Sequence, residues 1–267
     1  TTLFRSYVID DDIDFESKQL LRFSVKNARM NSDVEFLKIN KEFFTNVVIS
    51  DRIPETAYYR IAIPELFRGT EVERILYMDC DMIALQDISK LWRLDFGDSI
   101  VAAVEDAGFH QRLEKMKISA KSMRYFNSGL MLINVKKWLD ENITQKVLDF
   151  IEHNPEKLRF HDQDALNAIL HDRWLPLHPR WNAQGYIMAK AKKHPTAAGE
   201  REYEETRNNP YIIHFSGHVK PWSKDFEGPT KKYYEKYAGM TAFRCVAKFP
   251  KYPKYAKVQP KTDVVVK

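Results

Sequence analysis

Two carboxylates set two positions apart at the end of an apolar run are the first residues of this chain that could do chemistry. In "RILYMDCDMIAL", residues 74–85, Asp79 and Asp81 flank Cys80. Alternate side chains of an extended segment share a face, so the two acids converge while Cys80 points the other way, as a small buried residue rather than a ligand. Hard oxygen ligands just past the carboxyl end of a parallel strand suit Mg2+ or Mn2+ holding a phosphate-bearing substrate. The same residues also fit a solvated strand-to-loop turn, because D-x-D occurs four times: Asp10/Asp12, Asp12/Asp14, Asp79/Asp81 and Asp162/Asp164. The consecutive acids of "YVIDDDIDF" have no other ligand nearby and read as a turn. Asp164 falls in the first turn of a helix, where the macrodipole favours an acid without any metal.

A second constellation is "YIIHFSGHVKPW", residues 211–222, where a buried-looking strand is followed by polar groups. A lone His on an apolar strand is usually a satisfied core residue. His214, however, is followed within six residues by Ser216, Gly217 and Lys220. Glycine allows close backbone approach, lysine offers a point charge for phosphate, and histidine completes metal sites. A third is "RYFNSGLMLINVKKW", in which Asn127, Ser128 and Gly129 form a polar turn ahead of an apolar strand, for substrate binding or as a plain turn. "VAAVEDAG" likewise puts Glu105 and Asp106 past a strand end.

The elements that must position these groups alternate. Apolar, β-branched runs at 7–9, 34–39, 74–78, 100–104, 130–135 and 211–215 are separated by helical patterns, which predicts an α/β sheet covered on both faces. "PETAYYRIAIPELF" reads as a helix opened by Pro54 and broken at Pro64, and "VKKWLDENITQKVLDFIEHNP" as one helix closed by Pro155. "HDQDALNAILHD" starts a shorter helix with Asp162 as its cap, and residues 190–209 read as a long mobile loop.

The 267 residues provide ample material for one large α/β domain or two small ones. No run has the length of a membrane-spanning helix or the order of a signal peptide, and Cys80 and Cys245 make no disulfide framework, so the chain reads as cytoplasmic. The net charge of +5 is concentrated at the end: residues 231–267 hold ten Lys/Arg against Glu235 and Asp263. Beyond about residue 240 the Lys, Tyr and Pro repeat has no core-forming face and predicts an irregular tail.

Six segments, "TAYYRIAIPEL", "RILYMDCDMIALQDISKLW", "VAAVEDAG", "YFNSGLMLINVKKW", "FHDQDALNAIL" and "IIHFSGHVKPW", resemble in content and order the family 8 retaining glycosyltransferases of the GT-A fold. That group contains bacterial lipooligosaccharide galactosyltransferases and glycogenin. The resemblance implies an α/β GT-A domain over 7–238 that moves glucose or galactose from a UDP-sugar to a cell-surface glycan or glycoprotein. It implies that Asp79 and Asp81 are the metal-binding D-x-D, that His214 is the third ligand of an Mn2+ site with Mg2+ as the alternative, and that Lys220 and the Gly217 backbone meet the diphosphate. Arg60, Asp106 or Glu105, Asn127, Ser128 and Asp162 correspond to the donor-sugar site. Gln163 lies beneath the anomeric carbon, with Asp162 the other possible nucleophile. The basic, tyrosine-rich tail, 239–267, matches segments that attach some bacterial members to the inner face of the membrane, where lysines meet anionic headgroups and aromatics settle at the interface.

The beginning departs from the family pattern. The strand and loop expected to hold the uridine are not found, and the chain starts at what corresponds to the second strand. Residues 1–6, "TTLFRS", read like a translated sequencing adapter, with native sequence from near Tyr7. The fold is therefore expected to lack its first strand, leaving two unpaired central edges and a chain of low stability or activity. A sugar-nucleotide-binding pseudoenzyme is the competing class. A nucleotidyltransferase would want a Gly-rich basic loop near its start, and the sequence has none.

Overall fold

The computed structural model describes residues 5–28, 32–45 and 55–244, together with the backbone of residues 264–266. Its strands in chain order are β1 (Ser6–Ile9), β2 (Val34–Leu37), β3 (Arg74–Met78), β4 (Met82–Ala84), β5 (Val101–Glu105), β6 (Phe126–Asn134), β7 (Trp174–Leu177), β8 (Ala183–Gln184), β9 (Ile212–His214) and β10 (Val264–Val266). Seven make one sheet in the order β2-β1-β10-β3-β6-β5-β7, and three make a small sheet, β4-β9-β8.

The sheet is mixed, a departure from the parallel setting expected around Asp79. β1 and β2 are parallel, as are β5 and β7, whereas β6 runs against both β3 and β5. Because β6 is reversed, its amino end lies beside the carboxyl ends of β3 and β5. Three strand ends thus converge on one edge, and the polar residues of three separate motifs meet there.

Both faces of the sheet are covered, which is why its central strands read as unbroken apolar runs. Ile75, Tyr77, Val101, Ala103, Met131 and Ile133 pack on one side with Trp138, Val147, Ile151 and Leu166 from helices. Their alternating neighbours Leu76, Met78, Ala102, Val104, Leu130 and Leu132 pack on the other side with Leu91, Phe96 and Ile212. The period-2 geometry of strands sends successive side chains to opposite layers.

Several expectations are corrected. The central edges expected to be unpaired are bridged by β10, whose backbone pairs antiparallel with β1 (Ser6↔Val266) and with β3 (Met78↔Val264). Residues 264–266 of the tail are therefore a strand. Residues 245–263, with the Lys-Tyr-Pro run and the membrane attachment expected of it, lie outside the described residues. The helix expected across 135–154 is two, Val135–Asp140 and Ile143–His153, split where Asn142 turns to φ +52°.

The segment expected to be a helix opened by Pro54 and broken or kinked at Pro64 is a short α-turn, Tyr59–Ala62, between two 3-10 turns. The loop expected at 190–209 contains a helix, Ala197–Asn208, capped by Thr196 and buried through Gly199, Tyr203 and Thr206. These small and polar residues hide its helical spacing from a hydrophobicity reading. No helix among the described residues is long and apolar enough to cross a membrane.

Candidate active site

β3 ends at Met78, so Asp79 and Asp81 occupy the turn into β4 rather than the strand. They converge nonetheless. The Asp79 amide donates to the Gly129 carbonyl at 2.8 Å, which ties this turn to β6. The Phe215 amide donates to the Asp81 carbonyl at 3.0 Å, and His214 pairs opposite Met82, so the small sheet delivers the imidazole to the same spot. Ligand-type atoms of Asp79, Asp81 and His214 lie within 4.8 Å of one another. His214 Nε2 stands 3.4 Å from Asp81 Oδ1 and 3.7 Å from Asp79 Oδ2.

The opposite ring nitrogen is held by a residue that the sequence did not single out. His214 Nδ1 is 3.0 Å from Asn182 Oδ1, and Asn182 Nδ2 donates to Asn127 Oδ1 at 2.9 Å. The second bond fixes which end of the Asn182 amide faces the ring. In the neutral imidazole the proton therefore sits on Nδ1, and the Nε2 lone pair faces the carboxylates. Lys220 Nζ donates to Asp81 Oδ2 at 2.5 Å and to the Phe215 carbonyl at 2.8 Å. Burial pushes the Asp81 carboxyl up, but the His214 ring and the Lys220 ammonium outweigh it and hold the group well below the usual carboxylate range. Gly217 is exposed beyond β9.

Beside this cluster lies a network of amides and acids. Asp106 Oδ2 accepts from Asn127 Nδ2 at 3.0 Å and from Gln163 Nε2 at 3.1 Å. Gln163 Oε1 accepts from the Ser128 amide at 3.0 Å and lies 3.3 Å from Asn127 Nδ2. Arg60 joins the two halves. Its Nη1 is 3.1 Å from Asp79 Oδ1, its Nε is 3.1 Å from Asp162 Oδ2, and Nη1 also donates to the Ser128 carbonyl at 3.1 Å.

Asp162 does not cap its helix, contrary to the expectation. It is the second residue of the helix His161–Leu170, after His161 takes a left-handed φ of +34°. The amides of Arg159 and Phe160 donate instead to Asp164, which also accepts from Arg112 and Tyr125 and is fully buried in a structural role. Burial pushes the Asp162 carboxyl up to about 6; Arg60 opposes this and Asp79 adds to it.

Of the pair Glu105 and Asp106, only Asp106 enters the network. Glu105 turns to His110 (2.8 Å) and Arg124 (2.7 Å), with His194 at 4.0 Å. These polar atoms are already partnered: His110 Nε2 meets the Tyr203 hydroxyl, and His194 Nδ1 accepts from the Thr196 amide at 3.0 Å. The trio pins the loop before Thr196. Asp10 and Asp14 serve turn and cap, accepting from the Ile13 and Ser17 amides. Cys80, expected to be buried, is half-buried and lines a cavity of about 600 Å3 with Phe215, Trp222 and Tyr234. Tyr77, which donates to Asp79 Oδ1 at 2.6 Å, was not legible as a site residue because it reads as core.

The comparisons with known proteins agree with this geometry. The model of "Glycosyl transferase family 8" matches residues 2–225. General stress protein A of Bacillus subtilis (strain 168) is 45% identical over 242 residues, covering 90% of this chain and 84% of the relative. Lipopolysaccharide 1,2-glucosyltransferase of Escherichia coli (strain K12) is 29% identical over 180 residues, 67% of this chain and 52% of its own length. The galactosyltransferase LgtC, solved with donor and acceptor sugar analogs, superposes with a TM-score of 0.73 over 90% of this chain and 87% of that one, at 23% identity, a likeness of fold. With the family match spanning nearly the whole described domain, the chain belongs to glycosyl transferase family 8, as a glycosyltransferase of the GT-A fold.

Proposed function

We propose that this glycosyltransferase moves glucose or galactose from a UDP-sugar, with retention of anomeric configuration and a bound divalent cation, to a cell-surface glycan or glycoprotein. The observation that carries this reading is the convergence of Asp79, Asp81 and His214 beside the Asp106–Asn127–Gln163 network. The donor set fits a hard divalent cation. Two carboxylates and one imidazole form a mixed set that Mn2+ accepts readily and Mg2+ less so, and the Asn182 bond leaves Nε2 available to a ligand. When bound, the ion would neutralise charge on the diphosphate of the leaving UDP.

The chain's own groups do the rest. Lys220, beside Asp81, is placed to share its charge with the leaving diphosphate, with the exposed backbone of Gly217 as a further donor. Asp106, Asn127, Ser128, Asp162 and Arg60 hold the sugar hydroxyls. The Gln163 amide is bonded at both ends, its oxygen to the Ser128 amide and its nitrogen to Asp106, so it is an oriented dipole and a poor nucleophile. Asp162 is paired with Arg60, which lowers its nucleophilicity. Both facts favour front-face attack, in which the acceptor hydroxyl forms the new C–O bond, the bond from the anomeric carbon to UDP breaks, and the leaving phosphate oxygen takes the acceptor's proton. The Asp162 nucleophile is the other route.

Incubation with a panel of UDP-hexoses is expected to give UDP release with Mn2+ and none with chelator, and a product of the donor's own anomeric configuration by NMR. Release at equal rates under chelation would refute the metal-dependent reading. A second expectation concerns Asn182, whose amide fixes the His214 tautomer. Asn182→Ala should weaken Mn2+ binding by roughly 10- to 100-fold, the usual effect of removing a residue that orients a ligand. Titration of Mn2+ by electron paramagnetic resonance reads this directly, and unchanged affinity would show that the His214 ring needs no such support.

A further inference from the structure

A second cavity, of about 230 Å3, lies along the loop that follows Asp106. Five cationic side chains line it, Arg112, Lys115, Arg159, Lys192 and Lys193, with no carboxylate among the lining residues. Arg112 is matched by Asp164 at 2.6 Å. Among the described residues, Lys115, Arg159, Lys192 and Lys193 form no ion pair, although Lys193 acts at longer range on Glu200. Asp106, next to the cavity in sequence, accepts from Asn127 and Gln163, and Glu105 is engaged by Arg124 and His110.

Four like charges gathered around one hollow repel each other, and a flexible loop would relax by spreading them. This loop is held. The His194 amide donates to Glu200 Oε2 at 2.8 Å, the His194 ring lies 5.2 Å from that of Tyr203, and it packs so closely on Gly199 that a Cβ there would stand 2.2 Å from its Nδ1. The backbone that carries Lys192 and Lys193 is thereby fixed at His194, and both lysines line the cavity with Arg159. Phe109 gives the cavity an aromatic wall beside the charges; its ring centroid lies 4.3 Å from that of Phe160, and the Arg159 guanidinium lies over both rings. The amide of Gly108, a lining residue, donates to Asp106 Oδ1 at 2.9 Å, and Asp106 accepts from Gln163, so the cavity borders the sugar network rather than the Asp81–Lys220 end.

We propose that this cavity binds a phosphate group carried on the acceptor sugar, the cations taking the charge and the aromatic wall the sugar, so that the enzyme selects phosphorylated acceptors. The proposal rests on the transferase reading of the neighbouring network. Several cations around one phosphate make charge-assisted hydrogen bonds, and apolar rings favour a sugar face over a bare anion.

The test uses the full chain in chelator, which keeps phosphate from any metal, with glucose 6-phosphate, glucose and inorganic phosphate as probes in calorimetric titrations. Glucose 6-phosphate is expected to bind at least about tenfold more tightly than glucose or inorganic phosphate, the scale of one charge-assisted contact. The double substitution Lys192→Gln/Lys193→Gln, at exposed positions, should remove most of that preference, and Arg159→Gln should do the same.

Equal binding of all three probes overturns the proposal, as does a preference that survives both variants. Inorganic phosphate binding as tightly as the sugar phosphate, and lost in the variants, would mark a free-anion site and also overturn it. Binding of UDP with Mn2+ is measured alongside and is expected to be unchanged in the variants. Its absence from the unmodified protein would refute the UDP-sugar transferase reading while leaving the phosphate titrations interpretable.

Discussion

Gly129→Ala is expected to lower Mn2+ affinity by at least about 100-fold, the upper range for disturbing the support of metal ligands, in a protein that still folds. A Cβ at this position would stand 2.5 Å from His214 Cε1, 2.7 Å from Asp79 Oδ2 and 3.0 Å from Asn127 Oδ1. None of the three can easily give way. His214 is held by Asn182, Asp79 by the Tyr77 hydroxyl and Arg60, and Asn127 by Asp106. The backbone cannot retreat without losing the bond from the Asp79 amide to the Gly129 carbonyl. Overpacking of this kind costs about 1–3 kcal/mol, a fall of roughly 2–12 °C in Tm for a chain of this size. Scanning calorimetry should therefore show a folded variant, while Mn2+ titration and UDP release show the loss. A variant that binds Mn2+ within about threefold of the parent would mean that Asp79, Asp81 and His214 are not the ligand set.

The parts of this arrangement that were legible in the sequence are those with a one-dimensional signature. β3, β5 and β6 stand out because covering both faces makes them continuous apolar runs. β7 does not, because "WLPL" contains Pro176, which is tolerated on this outermost strand of the sheet. β4 and β8 are three and two residues long, too short for any periodicity, yet they bring His214 and Asn182 to the aspartates. Asn182 was therefore invisible, because its importance depends on strand pairing and not on local pattern, whereas Tyr77 reads as core. The choice between Glu105 and Asp106 was open for a related reason. The register between β5 and β6 shifts between Ala103 and Val104, and such an irregularity changes which face the following residues present.

Arg60→Ala is expected to destabilise the metal-free protein by about 3–5 kcal/mol near neutral pH, the usual effect of removing one partner from a buried ion pair. Only 8% of Arg60 is exposed, and its guanidinium lies between Asp79 and Asp162 and over the Tyr77 ring. Its loss takes from Asp162 its ion-pair partner while the charge of Asp79 remains close by. The penalty should depend on pH, with a sign set by Asp162. Burial raises this carboxyl from 3.8 to about 6, so the stability it contributes is complete below pH 3.8 and is lost as pH rises through about 6. Without Arg60 its folded-state value moves higher still, because the largest influence that lowers it is gone. At pH 5 the acid stays protonated in the variant and the charge penalty is avoided, whereas at pH 8 it must ionise or bind a proton at a cost. The Tm difference between parent and variant, measured in chelator, should therefore be several degrees larger at pH 8 than at pH 5, given about 2–4 °C per kcal/mol. Adding Asp162→Asn to Arg60→Ala should restore much of the loss at pH 8 and little at pH 5. A Tm difference that is the same at both pH values would show that Arg60 acts by packing on Tyr77 and not through the charge it places between the two aspartates.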